Sequence, residues 1–93
     1  MSIKHRQDGK GGTFYLEENG TEKAALLYEM NTDNEMVINH TEVDKELRGK
    51  DVGQQLVKAA VEFSRGKKIK IIPVCSFAAS IFKRTKEYED VLA

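Results

Sequence analysis

The sequence lacks the features that mark several large classes of protein. Its single cysteine, Cys75, excludes an internal disulfide, so a reducing cytoplasm is the expected location. No apolar run approaches the roughly 20 residues that cross a bilayer, and the first residues show no signal-peptide pattern, so no membrane partner is expected. Fifteen basic residues balance fifteen acidic ones, and this zero net charge argues against nucleic acid as a partner. No internal repeat is present, and no metal site is predicted.

The composition is that of one ordinary globular domain. The 93 residues, 40% of them apolar and 32% charged, can build one modest core, so residues 1–93 are predicted to form a single domain. The first half alternates short runs of β-branched and aromatic residues with turn signals such as Asn19-Gly20. This pattern predicts antiparallel strands over residues 3–7, 13–17, 21–30 and 35–43. The third run is equally compatible with a helix at its centre, residues 24–27.

The second half changes to a helical period. Five apolar residues recur at helical spacing: Val52, Leu56, Ala59, Ala60 and Phe63. They predict a helix over residues 52–65 that is closed by Gly66. A fifth strand is predicted over residues 69–74, with Pro73 at its edge or end. A shorter helix follows over residues 76–84, with Phe77, Ile81 and Phe82 on its apolar side. The order β-β-β-β-α-β-α predicts an α+β fold, with two helices packed on a mainly antiparallel sheet of about five strands.

A basic, glycine-containing turn joins the fourth strand to the long helix. It reads Leu47-Arg48-Gly49-Lys50-Asp51-Val52-Gly53. The first N–H groups of a helix and its dipole attract an anion, and glycine lets the backbone approach that anion closely. The turn is therefore predicted to bind a phosphate group.

This turn also carries a resemblance to a known family. The run VDKELRGKDVG at residues 43–53 resembles the pyrophosphate loop of the GNAT N-acetyltransferase superfamily, usually Arg/Gln-x-x-Gly-x-Gly/Ala before a long helix. Arg48 and Gly53 match the first and last positions of that pattern. The order of strands and helices matches as well, and Pro73-Val74-Cys75 is similar to the segment that follows the last strand in the smallest single-domain members. The resemblance implies a GNAT-like fold that binds acetyl-CoA.

The resemblance further implies which residues hold the cofactor. The pantetheine arm would pair with the fourth strand, the pyrophosphate would rest on the loop, and basic residues from Lys83 onward would meet the 3′-phosphate, ahead of the basic group at residues 65–70. The expected acetyl-CoA-binding residues are Thr41, Glu42, Val43, Arg48, Gly49, Lys50, Asp51, Val52, Gly53, Cys75, Phe82 and Lys83.

Two positions depart from the family's pattern. Asp51 stands where the loop normally has its first glycine; it is expected to cap the helix in a capping-box-like pair with Gln54, and to weaken coenzyme A binding. Phe82 aligns with the tyrosine that protonates the departing thiolate in many relatives, so that hydroxyl is missing here. A general acid commonly contributes about 10²–10⁴-fold. Tyr88 would come within reach only if the tail, residues 85–93, folds back.

Cys75 and His40 are the candidate catalytic residues. Cys75 aligns with a position beside the acetyl group, at the start of a helix whose first N–H groups stabilise negative charge. It would accept the acetyl group as a nucleophile, line the site, or serve as a small buried apolar residue.

His40 is the candidate base. A histidine can take a proton from an incoming ammonium near neutral pH, although a strand histidine bonded to a neighbour is the alternative. Alternation along the strand predicts that His40 faces away from Val37, Asn39, Thr41 and Val43. Glu42 is the alternative base.

The predicted function is acetyl-CoA binding with transfer of the acetyl group to an amine. Two alternatives remain: a non-catalytic acetyl-CoA-binding module or sensor, and a small interaction protein without a cofactor. The sequence specifies neither the acceptor nor the oligomeric state.

Overall fold

The computed structural model describes residues 2–93, so the first residue of the predicted domain lies outside it. Five strands run over Ile3–Asp8 (β1), Gly11–Glu18 (β2), Thr21–Thr32 (β3), Glu35–Val43 (β4) and Lys70–Pro73 (β5). Two helices span Val52–Lys67 (α1) and Ser76–Arg84 (α2), with short 3-10 helices at Lys45–Leu47 and Lys86–Val91. The predicted α+β order is therefore confirmed, and the third run is a strand throughout.

The strands form one sheet in chain order. β1 to β4 pair antiparallel as a meander, and α1 carries the chain across the sheet so that β5 lies parallel to β4. The last residues cover the outer edge of β5, where the N–H of Ala93 donates to the carbonyl oxygen of Ile71 at 2.9 Å. The two neighbours of β4 thus run in opposite directions, and only β3 pairs with it along its full length.

A β-bulge interrupts β4 at Asn39. Leu27 of β3 pairs with His40 while the next residue, Tyr28, pairs with Ile38, so β4 carries one extra residue. Residues before and after the bulge therefore differ in which face they present. The prediction that Val37 shares a face with Thr41 was wrong for this reason, because Val37 lies on the same face as His40. The opposition of His40 to Thr41 holds, since both follow the bulge.

The long helix ends later than its glycine suggests. Gly66 lies inside α1, which continues to Lys67, so the prediction that Gly66 closes the helix was wrong. Lys68 takes the left-handed conformation instead, at φ 58°, and its N–H donates back to the carbonyl oxygen of Arg65. Among residues 2–93, no helix is long and apolar enough to cross a membrane.

One face of the sheet carries the core. Leu26, Met36, Ile38 and Ile71 are fully buried there under α1, α2 and the tail. The side chain of Arg65 bonds to both carboxylate oxygens of Asp90, at 2.7 and 2.8 Å, and this pair fixes the tail along α1. The tail therefore does fold back over the helices.

An aromatic cluster closes the core beside β1. The ring of His5 stacks on Phe14 with centroids 4.0 Å apart, meets Phe63 of α1 edge-on, and lies 2.6 Å from the hydroxyl oxygen of Tyr28 through Nε2. Burial lowers the pKa of His5 and raises the pKa of Tyr28. Gly12 permits this packing, because a Cβ there would come within 2.6 Å of the Tyr28 ring.

Candidate functional site

The site begins where β4 and β5 part. The last paired residues are Ile38 and Pro73, and the N–H groups of Val74 and Cys75 both donate to the carbonyl oxygen of Ile38, at 3.0 and 3.1 Å. β4 continues to Val43 beyond this point, whereas the segment that follows β5 turns away into α2. The second half of β4 therefore has a neighbour on one side only.

Backbone groups of the second half of β4 face this gap. The N–H of Asp44 donates to the carbonyl oxygen of Lys23 at 2.7 Å, so every second residue before Asp44 also directs its backbone groups toward β3. Thr41 and Val43 are the residues in between, and their N–H and C=O groups point away from β3. Two successive donors on an extended strand can pair with a chain of amide groups.

A cavity of about 550 Å³ lies between this half-strand and the first turn of α1. Its walls combine the gap-facing residues of β4, the loop, the start of α1 and one ring from α2. The lining residues are Thr41, Glu42, Val43, Leu47, Arg48, Gly49, Asp51, Val52, Gly53, Gln54 and Phe77. Eight of the predicted cofactor-binding residues are among these, so the structure brings strand and loop together around one space.

The loop positions free N–H groups through unusual backbone conformations. Gly49 has φ 84° and Asp51 has φ 59°, both in the left-handed region where glycine is favoured. Asp51 does precede α1, but its side chain accepts no capping hydrogen bond, so the predicted capping box with Gln54 was wrong. Asp51 instead adopts the left-handed conformation that glycine takes without strain, and it is one of the residues that line the cavity.

Cys75 caps α2 at the mouth of the gap. Its Sγ accepts from the N–H of Ala78 at 3.4 Å and lies 3.4 Å from the hydroxyl oxygen of Thr41, across from β4. The thiol is half-buried and free. It borders the gap without lining the 550 Å³ cavity. The sulfur thus has one backbone N–H donor and one hydroxyl group beside it.

His40 and Glu42 lie on the sheet face opposite Thr41. Nε2 of His40 is 3.6 Å from Oε1 of Glu42, and the two side chains are 60% and 68% exposed. Glu42 lines the cavity through the edge of the strand, whereas His40 does not. Both side chains are open to a molecule that approaches the gap from this face.

Three predicted cofactor-binding residues besides Cys75 lie outside the cavity lining. Phe82 is 4% exposed in the core and packs edge-on against Tyr88, with ring centroids 5.8 Å apart. Lys83 is exposed on α2 and does not line the cavity. The folded tail brings Tyr88 against Phe82, where burial raises the pKa of Tyr88, and neither ring lines the cavity. Lys50 is exposed in the loop outside the lining set.

Three lining residues were absent from the predicted set: Leu47, Gln54 and Phe77. Leu47 and Gln54 flank the recognised motif and would follow from extending it by one residue. Phe77 was assigned to the apolar face of α2, but that face is formed by Ala78, Ile81 and Phe82, and Phe77 is 36% exposed. Helical spacing alone could not have excluded it, since Phe77 lies four residues before Ile81 and so only about 40° from it around the helix.

Solved structures share this architecture. The NMR solution structure of a GCN5-like protein from Staphylococcus aureus matches with a TM-score of 0.73 and 36% identity, over 97% of this chain and 87% of that one. A GNAT family acetyltransferase from Elizabethkingia anophelis with acetyl-CoA bound matches with a TM-score of 0.64 over 86% of this chain and 54% of that one. Its identity is 14%, so this second likeness shows the fold alone. The architecture is that of the GNAT fold.

Sequence comparison gives the family. The sequence pattern of the GCN5-related N-acetyl-transferase family matches residues 13–91, and Protein NATD1 of Danio rerio is 31% identical over 84 residues, which make up 89% of this chain and 74% of that protein. The chain therefore belongs to the GCN5-related N-acetyltransferase family. The predicted resemblance and the predicted fold class are both confirmed.

Proposed function

We propose that this protein binds acetyl-CoA in the cavity beside the second half of β4 and transfers the acetyl group to an amine. One observation carries the proposal: the unpaired backbone groups of Thr41 and Val43 and the N-terminus of α1 open onto the same 550 Å³ space. The first group suits the amides of a pantetheine arm, and the second suits a pyrophosphate. Membership of an acetyltransferase family supports the same cofactor.

The loop residues would hold the phosphates. N–H groups between Gly49 and Gly53 have few partners within α1, because the first turn of a helix leaves its donors free. Arg48 lines the cavity and can pair with a phosphate oxygen in a charge-assisted hydrogen bond. Asp51 opposes this attraction, so the affinity for acetyl-CoA is set by the balance between Arg48 and Asp51.

Acetyl-CoA supplies an activated thioester. The chain's contribution is to orient the acetyl group and manage one proton. Backbone N–H donors of β4 would bond to the thioester oxygen, where negative charge develops as the amine attacks. His40 or Glu42 would take the proton from the ammonium form of the acceptor, since both lie exposed on the face from which an acceptor can reach the gap.

Cys75 offers a second route. Its sulfur could attack the acetyl carbon, with the coenzyme A thiolate leaving and taking up the proton from the thiol. The acetyl group would then rest on Cys75 until an amine displaces it and restores the thiol. The place of the free, half-buried thiol at the mouth of the gap, 3.4 Å from the hydroxyl oxygen of Thr41, supports this role.

Non-catalytic binding is the second candidate, and the burial of Phe82 favours it. Phe82 has no hydroxyl group at the position of the family's tyrosine. Tyr88 packs against Phe82 and does not bring its own hydroxyl to the cavity. A domain without a general acid can still bind acetyl-CoA as a sensor or partner subunit. Binding and transfer therefore need separate tests.

Calorimetric titration with acetyl-CoA tests the cofactor. We expect saturable binding that weakens about tenfold in Arg48→Ala, the effect of one charged hydrogen bond. Lys58→Ala is the matched control, because it removes one positive charge from the exposed middle of α1 and should leave the affinity unchanged. Absence of binding by the wild-type protein would contradict the proposal.

Thioester loss in the presence of varied primary amines tests the transfer. Transfer predicts amine-dependent release of free coenzyme A. Cys75→Ala would abolish it if Cys75 carries the acetyl group, and intact mass would then show acetylated wild-type protein. Release that continues in Cys75→Ala but falls in His40→Gln or Glu42→Gln identifies direct attack. Binding without release by any amine identifies the non-catalytic function.

A further inference from the structure

Phe77 is an exposed aromatic ring although helical spacing places it near the buried Ile81, four residues later. The other large apolar residues of α2, Ile81 and Phe82, are 3% and 4% exposed, whereas Phe77 is 36% exposed. Its ring forms part of the wall of the 550 Å³ cavity. Leu47 and Val52 line the same cavity but are themselves 5% and 2% exposed, so they present little apolar surface to it. The accessible apolar wall is therefore supplied by Phe77 together with the half-buried Val43.

Gly53 lies directly beneath this ring. A methyl group built on Gly53 would overlap Cζ of Phe77 and lie 2.7 Å from its Cε2. No atom of the backbone is the nearest obstacle; the ring alone supplies the three closest contacts. Any side chain at position 53 would therefore have to displace the Phe77 ring from its place over α1.

The backbone does not require glycine at this position. Gly53 is the second residue of α1 and is absent from the residues with positive φ, which include Gly9, Gly20 and Gly49. Glycine in a helix is less favourable than alanine, because it loses more conformational freedom on folding. A glycine here must be compensated by something that alanine would prevent, and the ring of Phe77 is that contact in the structure.

We propose that Phe77 sets the width of the cofactor cavity and contacts the pantetheine arm of bound acetyl-CoA, and that Gly53 is glycine in order to seat the Phe77 ring. This rests on the proposed function for its ligand. A glycine in this turn is expected to let the backbone approach a phosphate; in this chain Gly53 also leaves room for the Phe77 ring. Phe77 is thus a specificity-determining residue, and Gly53 is a positioning residue that acts through it.

The pantetheine arm is a suitable partner for the ring. It alternates amide groups with methylene and methyl groups, so its amides can pair with β4 while its apolar groups cover an aromatic face. A ring already seated on α1 loses little conformational freedom when it makes that contact. The exposed surface of Phe77 would then be buried by the cofactor, which explains why the folded protein leaves it uncovered.

A double-mutant cycle of Gly53→Ala and Phe77→Ala tests this inference by titration with acetyl-CoA. We expect Phe77→Ala to weaken binding at least fivefold. Gly53→Ala should weaken binding by a similar factor in the wild-type background, because the displaced ring narrows the cavity. In the Phe77→Ala background, Gly53→Ala should change the affinity by less than twofold. An equal loss in both backgrounds would show that the glycine serves the phosphate alone, and an unchanged affinity in Phe77→Ala would remove Phe77 from the site.

Thermal unfolding of the same four proteins gives a readout that needs no cofactor. Gly53→Ala should lower the unfolding midpoint when Phe77 is present and raise it in Phe77→Ala, where only the better helix propensity of alanine remains. The same sign in both backgrounds would overturn the seating of the ring on Gly53. If the wild-type protein failed to bind acetyl-CoA, the proposed function and the pantetheine contact would both be wrong, while this sign reversal would still decide the role of Gly53.

Discussion

Both halves of β4 pair with β3 on one side. On the other side the first half pairs with β5, whereas the second half borders the cavity. Residues 35–38 lie between β3 and β5, and the side chains of Met36 and Ile38 are fully buried. Residues 40–43 follow the bulge and pair with β3 alone, and residues 41–43 line the cavity. One strand thus serves first as the centre of the core and then as the wall of the cavity.

The difference shows how a small domain can separate stability from binding. Buried apolar side chains of the first half contribute to folding through their removal from water. The second half contributes fewer such contacts, and it leaves backbone donors and acceptors available to a ligand. The change occurs within one residue, at Asn39, because the bulge ends the alternation of the first half and β5 turns away beside it.

The largest expected effect is on folding, from a change in the first half. Ile38→Ala removes a fully buried side chain and should lower the free energy of unfolding by about 3 kcal/mol, through lost burial and a cavity in the core. Thr41→Val is the matched change in the second half; it keeps the shape of the residue and should alter the free energy of unfolding by less than about 1 kcal/mol. Urea unfolding measures both. Equal losses in the two variants would remove the distinction between the halves.

A change in the loop should affect binding more than folding. Asp51→Gly permits the left-handed backbone without strain and removes a carboxylate from the cavity, so acetyl-CoA should bind on the order of threefold to tenfold more tightly. Asp51→Asn separates the two causes, because asparagine tolerates this conformation as aspartate does but carries no charge. We expect Asp51→Asn to retain most of the gain, and the gain to shrink in high salt.

Weaker binding by both Asp51 variants would show that the carboxylate helps to form the site. Calorimetric titration at two salt concentrations distinguishes these results. Either outcome concerns the loop and the cavity alone, since Asp51 lies outside the core.

Much of the fold and of the candidate site could be predicted from the sequence, because the signals for them are local. The apolar alternation of the strands, the helical period after residue 51 and the loop motif each occupy a short run of residues, and together they predicted the order of elements and most of the cavity lining. The bulge at Asn39 was not predictable in this way, since it depends on how β4 pairs with β3. The left-handed Asp51, the late helix end at Lys68 and the seating of Phe77 over Gly53 likewise depend on tertiary contacts.

The smallest expected effect is a pH dependence of folding stability that arises from the aromatic cluster beside β1. Tyr28 pairs with Ile38 across the sheet and contacts His5, whose pKa is lowered by burial from its ordinary value of 6.5. The unfolded chain therefore binds a proton at His5 more readily than the folded protein does. The contribution of His5 to the free energy of unfolding should be fully present above pH 6.5. It should fall as the pH drops through 6.5 toward the lower pKa of His5 in the folded state.

His5→Gln can still bond to the Tyr28 hydroxyl but does not titrate, so it should flatten the change in the unfolding midpoint between pH 7.5 and 5.5. The range stops at pH 5.5 in order to avoid the carboxylates. A wild-type slope retained in His5→Gln would show that another group is responsible. Acetyl-CoA binding should be unaffected by the substitution, since His5 lies in the aromatic cluster beside β1 and does not line the cavity.

Backbone amide shifts during titration with acetyl-CoA test the central claim most directly. The account predicts large changes at Thr41, Val43, residues 48–53 and Phe77, and small ones at residues 35–38 and at the aromatic cluster of His5, Phe14, Tyr28 and Phe63. No change at saturating acetyl-CoA, or changes confined to the first half of β4 and the aromatic cluster, would contradict it.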